Sequence, residues 1–138
     1  MLPFGNRTTI LTVAYEDLVA AFVNGFGPPC GNVAGGTGRT PQFSGLQVQM
    51  HCTGTTPVID NIWLTPTGPT GSKTLLGPGS SVRMVIPDFM YTGGDGYTSF
   101  ARGTNVLQPG DGLLELTIEY IAANSPVAPV VEGRRIGP

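Results

Sequence analysis

Twenty-one glycines and thirteen prolines are spread through the 138 residues, and they limit how far any regular element can run. Glycine costs a helix or strand backbone entropy; proline removes a donor and blocks the helix interior. Such a chain must turn often, with long loops between short elements. It still holds 40% apolar residues, too many for a disordered chain, and its length fits one domain, residues 1–138, with a real core. A formal net charge of −2, with seven basic residues and no Lys/Arg run, argues against binding a nucleic-acid backbone. No stretch of roughly 18 apolar residues occurs, so no membrane span is expected. The start, MLPFGNRTT, lacks the charged and apolar regions of a signal peptide.

Short elements can be read between the breakers. The β-branched run Thr8–Val13 predicts a strand. After it, Leu18, Ala21, Phe22 and Gly25 recur at helical spacing, with Glu16 and Asp17 at the N-terminal end and Gly25 as the C′ residue. Residues 26–42 read as a Gly/Pro-rich loop. SGLQVQMHC alternates, with Leu46, Val48 and Met50 on one face and Gln47, Gln49 and His51 on the other, which predicts a half-buried strand. VIDNIWL is a third strand, TPTGPTGSKTLLGPGS a loop, and SVRMVIP a fourth strand with Val82, Met84 and Ile86 inward. A second helix is expected over GDGLLELTIEYIAANSP, with Asp111 as N-cap and Leu114, Ile118 and Ile121 as its buried stripe. The tail VAPVVEGRRIGP reads as a short strand or arm, with Arg134 and Arg135 solvated. The class is α+β, four or five short strands with two main helices.

Chemistry is sparse. Cys30 and Cys52 stand 22 apart, outside any CxxC, and His51 is the single histidine, so no zinc spacing is matched. The cysteines are either two buried thiols or, the favoured reading, a disulfide. Such a bridge would stabilise by roughly 3 kcal/mol in the chain-entropy model and would imply an oxidising compartment. No serine has a base partner, and the acids are scattered. The segment PDFMYTGGDGYTSF sets Asp95 among Gly93, Gly94 and Gly96, with Phe89, Tyr91, Tyr97 and Phe100 around it. It fits no P-loop, dinucleotide fingerprint or calcium loop. Glycines allow positive φ and close approach to a ligand; a carboxylate suits a pair of hydroxyls; aromatic faces suit a flat ring. Alternatively, the Asp bonds its own backbone in a tight turn with the aromatics in the core, and local chemistry alone favours that turn.

Taken in order, PFGN (3–6), EDLVAAFVNGF, PQFSGLQV (41–48), VIPDFMYTGGDGY (85–97), LLELTIEYI and VEGRRI form a series. The series resembles the C-terminal domain of the 5′-nucleotidase family, the UDP-sugar hydrolase and 2′,3′-cyclic phosphodiesterase group, over nearly the whole chain. The resemblance implies that domain's α+β fold, with mixed β-sheets, two main helices and an N-terminal truncation. It implies a nucleoside stacked between Phe4 and Phe89, its ribose hydroxyls held by Asp95 with Gly93 and Gly94 shaping the loop, and Asn6 reaching the base edge. It implies a parent enzyme, periplasmic or extracellular, acting in nucleotide catabolism through divalent metal ions in an N-terminal metallophosphoesterase domain. Those metal ligands and the substrate-holding arginines upstream of PFGN are missing here, so this chain alone is expected to bind no cofactor and not to turn over. The missing segment would leave strand edges open to pairing between copies. Two further readings stay open: a structural or interaction module keeping the fold without the nucleoside site, and the specificity domain of a related hydrolase with a non-nucleotide substrate.

Overall fold

A computed structural model describes residues 4–30 and 38–137, Pro28 and Pro29 by backbone only. The loop expected over 26–42 therefore lies partly outside the described residues. Ten helices and strands follow in chain order: β1 (Thr8–Ala14), α1 (Tyr15–Cys30), β2 (Leu46–Thr53), β3 (Thr56–Leu64), β4 (Thr74–Leu76), β5 (Ser81–Pro87), α2 (Asp88–Tyr91), β6 (Thr104–Leu107), α3 (Leu113–Asn124) and β7 (Arg135–Ile136). Two 3-10 turns, Gly94–Gly96 and Thr98–Arg102, sit between α2 and β6. The class is α+β, as expected. The chain divides into two compact units: Met1–Val13 with Val82–Val130, and Ala14–Ser81 with Val131–Pro138.

The first unit holds a three-stranded sheet in the order β5-β1-β6. β1 is central because its Thr9, Leu11 and Val13 can all be fully buried on one face. β5 contributes Val82 and Ile86, both buried as the alternation predicted. Tyr97 and Phe100 complete this core, their rings stacked at 5.6 Å between centroids. β6 pairs antiparallel with β1 through a bulge between Ile10 and Thr12. The Arg83 guanidinium donates to the Asn105 carbonyl beside it at 2.5 Å. β4 and β6 are too short to carry a period-two signal, and neither was anticipated.

The second unit holds a four-stranded sheet, β4-β3-β2-β7. β2 and β3 form an antiparallel hairpin closed at Thr53↔Thr56, with a register shift between Gln49 and Met50. β7 joins β2 in parallel, Val48 opposite Arg135. Leu46, Val48 and Met50 point into the core as read from the alternation. Gln47 faces the other way but is buried too: its amide donates to the Gly133 carbonyl at 2.8 Å and accepts from Lys73 Nζ at 2.6 Å. That pair of bonds satisfies a polar group that burial would otherwise penalise.

Helix α1 corrects the expected stop at Gly25: it continues to Cys30. Tertiary packing overrides the glycine, because Phe26 is fully buried, stacks on Phe22 one turn back and meets Phe43 at 6.4 Å. Cys30 is then joined to Cys52 of β2, with Cα atoms 5.5 Å apart. The disulfide reading of the pair therefore holds here, and buried thiols do not. Helix α3 corrects the sequence more severely. Its cap position is Gly112 rather than Asp111, with no side-chain cap bond. The expected buried stripe is in water: Leu114, Ile118 and Ile121 are 44%, 58% and 48% exposed. No residue of α3 is buried. Among the described residues no helix is long and apolar enough to cross a membrane.

Candidate functional site

The expected nucleoside residues all fall in the first unit, around one end of β1 and β5. The backbone ties their segments together: Asp88 N–H donates to the Arg7 carbonyl at 2.8 Å, where β5 ends and the PFGN segment enters β1. Asn6 is half-buried, and its carbonyl accepts from Leu113 N–H at 3.0 Å, fixing that segment to the start of α3. Phe4 lies two residues before Asn6 and is 72% exposed.

Phe89 is held on the other segment. Its N–H donates to the Asp88 carboxylate at 2.8 Å, and its carbonyl accepts from the Thr92 hydroxyl at 3.0 Å. The ring remains 46% exposed, and neither it nor Phe4 stacks on another aromatic ring. The reason Phe89 can sit as it does is Gly94. A Cβ at that position would come within 2.5 Å of three ring carbons, closer than carbon atoms tolerate. Gly94 thus leaves room for the Phe89 ring, a contact that sequence spacing cannot express. Gly93 meets a different need, a left-handed φ of 89° that starts the 3-10 turn. Asp95 also takes a left-handed φ, 53°, a conformation Asp accepts better than most residues. Its side chain is exposed.

The four aromatics around the glycine loop therefore divide. Tyr97 and Phe100 are core, as the tight-turn reading held, Tyr91 is half-buried, and Phe89 is largely open to solvent. An exposed aromatic face can offer stacking, and an exposed carboxylate can accept from hydroxyls.

The resemblance places divalent metals in a separate N-terminal domain, not on the residues of this chain. Among the described residues no group of three or more His, Cys, Asp or Glu could hold a metal ion. The cysteines are bonded to each other, and His51 Nδ1 pairs with Asp60 at 2.8 Å on an exposed strand face. No step of any reaction is assigned to a metal held by this chain.

The second unit has its own concavity, a cavity of about 420 Å³ lined by Phe26, Phe43, Arg134, Arg135 and the Thr40–Gln42 segment. None of the expected site residues lines it. Arg134, expected to be solvated, instead donates to the Phe43 carbonyl at 2.7 Å and pairs with Glu132. Arg135 stays exposed with its guanidinium 5.9 Å from the Phe26 ring centroid.

No protein-family model matches the chain, and no curated protein matches it. Solved structures do. A 5′-nucleotidase precursor from Thermus thermophilus superposes with a TM-score of 0.79 at 24% identity, over 98% of this chain and 26% of its own. The NAD nucleotidase of Haemophilus influenzae gives 0.66 at 14% identity, over 98% and 23%. A Staphylococcus aureus protein described as a 5′-nucleotidase, solved with α-ketoglutarate, gives 0.57 at 13%, over 98% and 28%. The chain spans about a quarter of the length of each of these neighbours. At these identities the likeness is one of fold, and the fold of this chain is that of a quarter-length portion of 5′-nucleotidase chains, as the resemblance in sequence implied.

Proposed function

We propose that this chain is the nucleoside-binding part of a 5′-nucleotidase-like phosphoester hydrolase of nucleotide catabolism. The observation that carries the reading is Phe89: a large aromatic ring seated against Gly94, next in sequence to Asp95, and 46% exposed while Tyr97 and Phe100 are buried. Phe4, on the strand segment tied to Asp88, supplies the second ring; Asp95 takes the ribose hydroxyls and Asn6 the base edge. The fold shared with 5′-nucleotidase chains supports the same reading. In the parent enzyme this part would choose and orient the substrate. Divalent metals held by an N-terminal phosphoesterase domain would supply the hydrolytic chemistry there. The Cys30–Cys52 bridge supports export to a periplasmic or extracellular setting.

The test is a titration of the isotope-labelled chain with adenosine, followed by NMR. Amide shifts confined to Phe4–Arg7 and Asp88–Gly96, saturating and lost in Phe89→Ala, are the expected result. Because only this part of the substrate is contacted, affinity should be weak, about millimolar. Absence of shifts at those positions would refute the nucleoside reading and leave a structural or interaction module as the function of the fold.

A further inference from the structure

Helix α3 carries apolar side chains around most of its circumference. Leu114, Ile118 and Ile121 fall on one side at i, i+4 and i+7, and Leu113, Leu116 and Tyr120 on the next at i, i+3 and i+7. Thr117 lies between them with its hydroxyl turned back to the Leu113 carbonyl at 2.7 Å. Only Glu115 and Glu119 make a polar stripe, opposite Thr117. A helix apolar over so wide an arc is normally buried, yet here no residue of it is. Leu116 and Tyr120 are 37% and 61% exposed, on top of the stripe already described.

We propose that α3 is a self-association surface, covered by α3 of a second copy packed antiparallel. Size supports this occupant. The five exposed large side chains of α3 leave roughly 500 Å² of largely apolar surface in water, at the upper end of what a monomer exposes. Val127 and Val130, which follow in the chain, are exposed as well, and a standard interface takes roughly 800 Å² per partner. Charge supports it too. The helix has no Lys or Arg, so its apolar arc gives a charged partner nothing to pair with. Two copies would meet apolar arc to apolar arc with both glutamate stripes on the outside. An antiparallel arrangement also opposes the helix dipoles favourably. The proposal is independent of the nucleoside site, which uses other residues.

Sedimentation equilibrium of the chain from about 1 to 200 µM tests it, this being the range in which an interface of such size resolves into monomer and dimer. The expected result is a monomer–dimer equilibrium. Ile118→Glu should weaken it by about 100-fold or more, while Glu119→Gln leaves it within about twofold. Circular dichroism checks that both variants keep their helix. Hydrogen exchange of the α3 amides should slow as concentration rises. A chain that stays monomeric throughout overturns the proposal and gives α3 to a different polypeptide segment. A dimer that Ile118→Glu leaves intact overturns it as well, and moves the contact to the open edges of β5 and β6.

Discussion

The two units handle apolar side chains in opposite ways. In the second unit Phe22, Phe26 and Phe43 pack on one another, α1 and the β2–β3 hairpin close over them, and a disulfide fastens helix to strand. In the first unit a small core of Leu11, Val13, Val82, Ile86, Tyr97 and Phe100 is buried, while Phe4, Phe89 and most of α3 stay in water. The lesson is that exposed apolar surface has a location and a use. It gathers in the first unit, on the surfaces proposed above to take a ligand or another chain, and it is scarcer in the second. Four variants can break or sharpen this contrast.

The largest effect belongs to the second unit. Phe26 is fully buried between Phe22 and Phe43, with Arg135 over its ring. Phe26→Ala should cost about 3–5 kcal/mol in urea unfolding, from lost transfer energy plus the cavity left behind. A loss under about 1 kcal/mol would mean that the aromatic cluster is not the centre of this unit. Next comes the bridge. Replacing Cys30 and Cys52 together by Ala frees a loop of 22 residues' separation and should cost roughly 3 kcal/mol by the chain-entropy account. The loss should appear in the second unit first, as faster amide exchange at the C-terminal turn of α1.

The third effect is on binding rather than stability. Gly94→Ala places a methyl where the Phe89 ring now sits. The backbone at Gly94 is not in the left-handed region, so alanine is tolerated there by φ. The ring, nearly half exposed, can swing outward at small cost to folding. If it provides a stacking face, adenosine affinity should fall by about 1–3 kcal/mol, roughly 5- to 150-fold, with the unfolding midpoint almost unchanged. Equal affinity in Gly94→Ala and the parent chain would separate Phe89 from ligand binding.

Much of this was legible in the sequence where a demand and its supply lay close together. Leu46, Val48 and Met50 in β2, and Val82 and Ile86 in β5, alternate and are buried as read, because a strand's inward face needs only neighbouring strands and α1 to cover it. The end of α1 was misread because Gly25 signals a stop locally, whereas Phe26 and Cys30 are held by contacts distant in sequence. β4 and β6, three and four residues long, carry too few positions for any period to show. The aromatics around Asp95 read as one group in the sequence; folding sorts them into core and surface, in part by a contact, Phe89 on Gly94, that spacing cannot express. In α3 the periodicity was real and its outcome was still wrong. A stripe reports that a face needs covering; it does not say that the cover lies within the same described chain.

The smallest effect tests that last point directly. Ile118 is 58% exposed at the middle of α3, with no buried neighbour on its own helix. Measured at a protein concentration well below any dimer dissociation constant, Ile118→Gln removes a methyl-rich side chain that already faces water. It places there a residue of better helix propensity. Stability of the monomer should therefore change by no more than about 0.5 kcal/mol in either direction, against the 3–5 kcal/mol expected for Phe26→Ala. Repeated at high concentration, the same pair of unfolding curves should part, because only the parent chain gains stability by association, and that gain grows with protein concentration. A cost of 2 kcal/mol or more at dilution would show Ile118 packed against its own unit after all. It would then place α3 with the closed cluster of the second unit in kind, as a helix that stabilises the fold rather than one that waits for a partner.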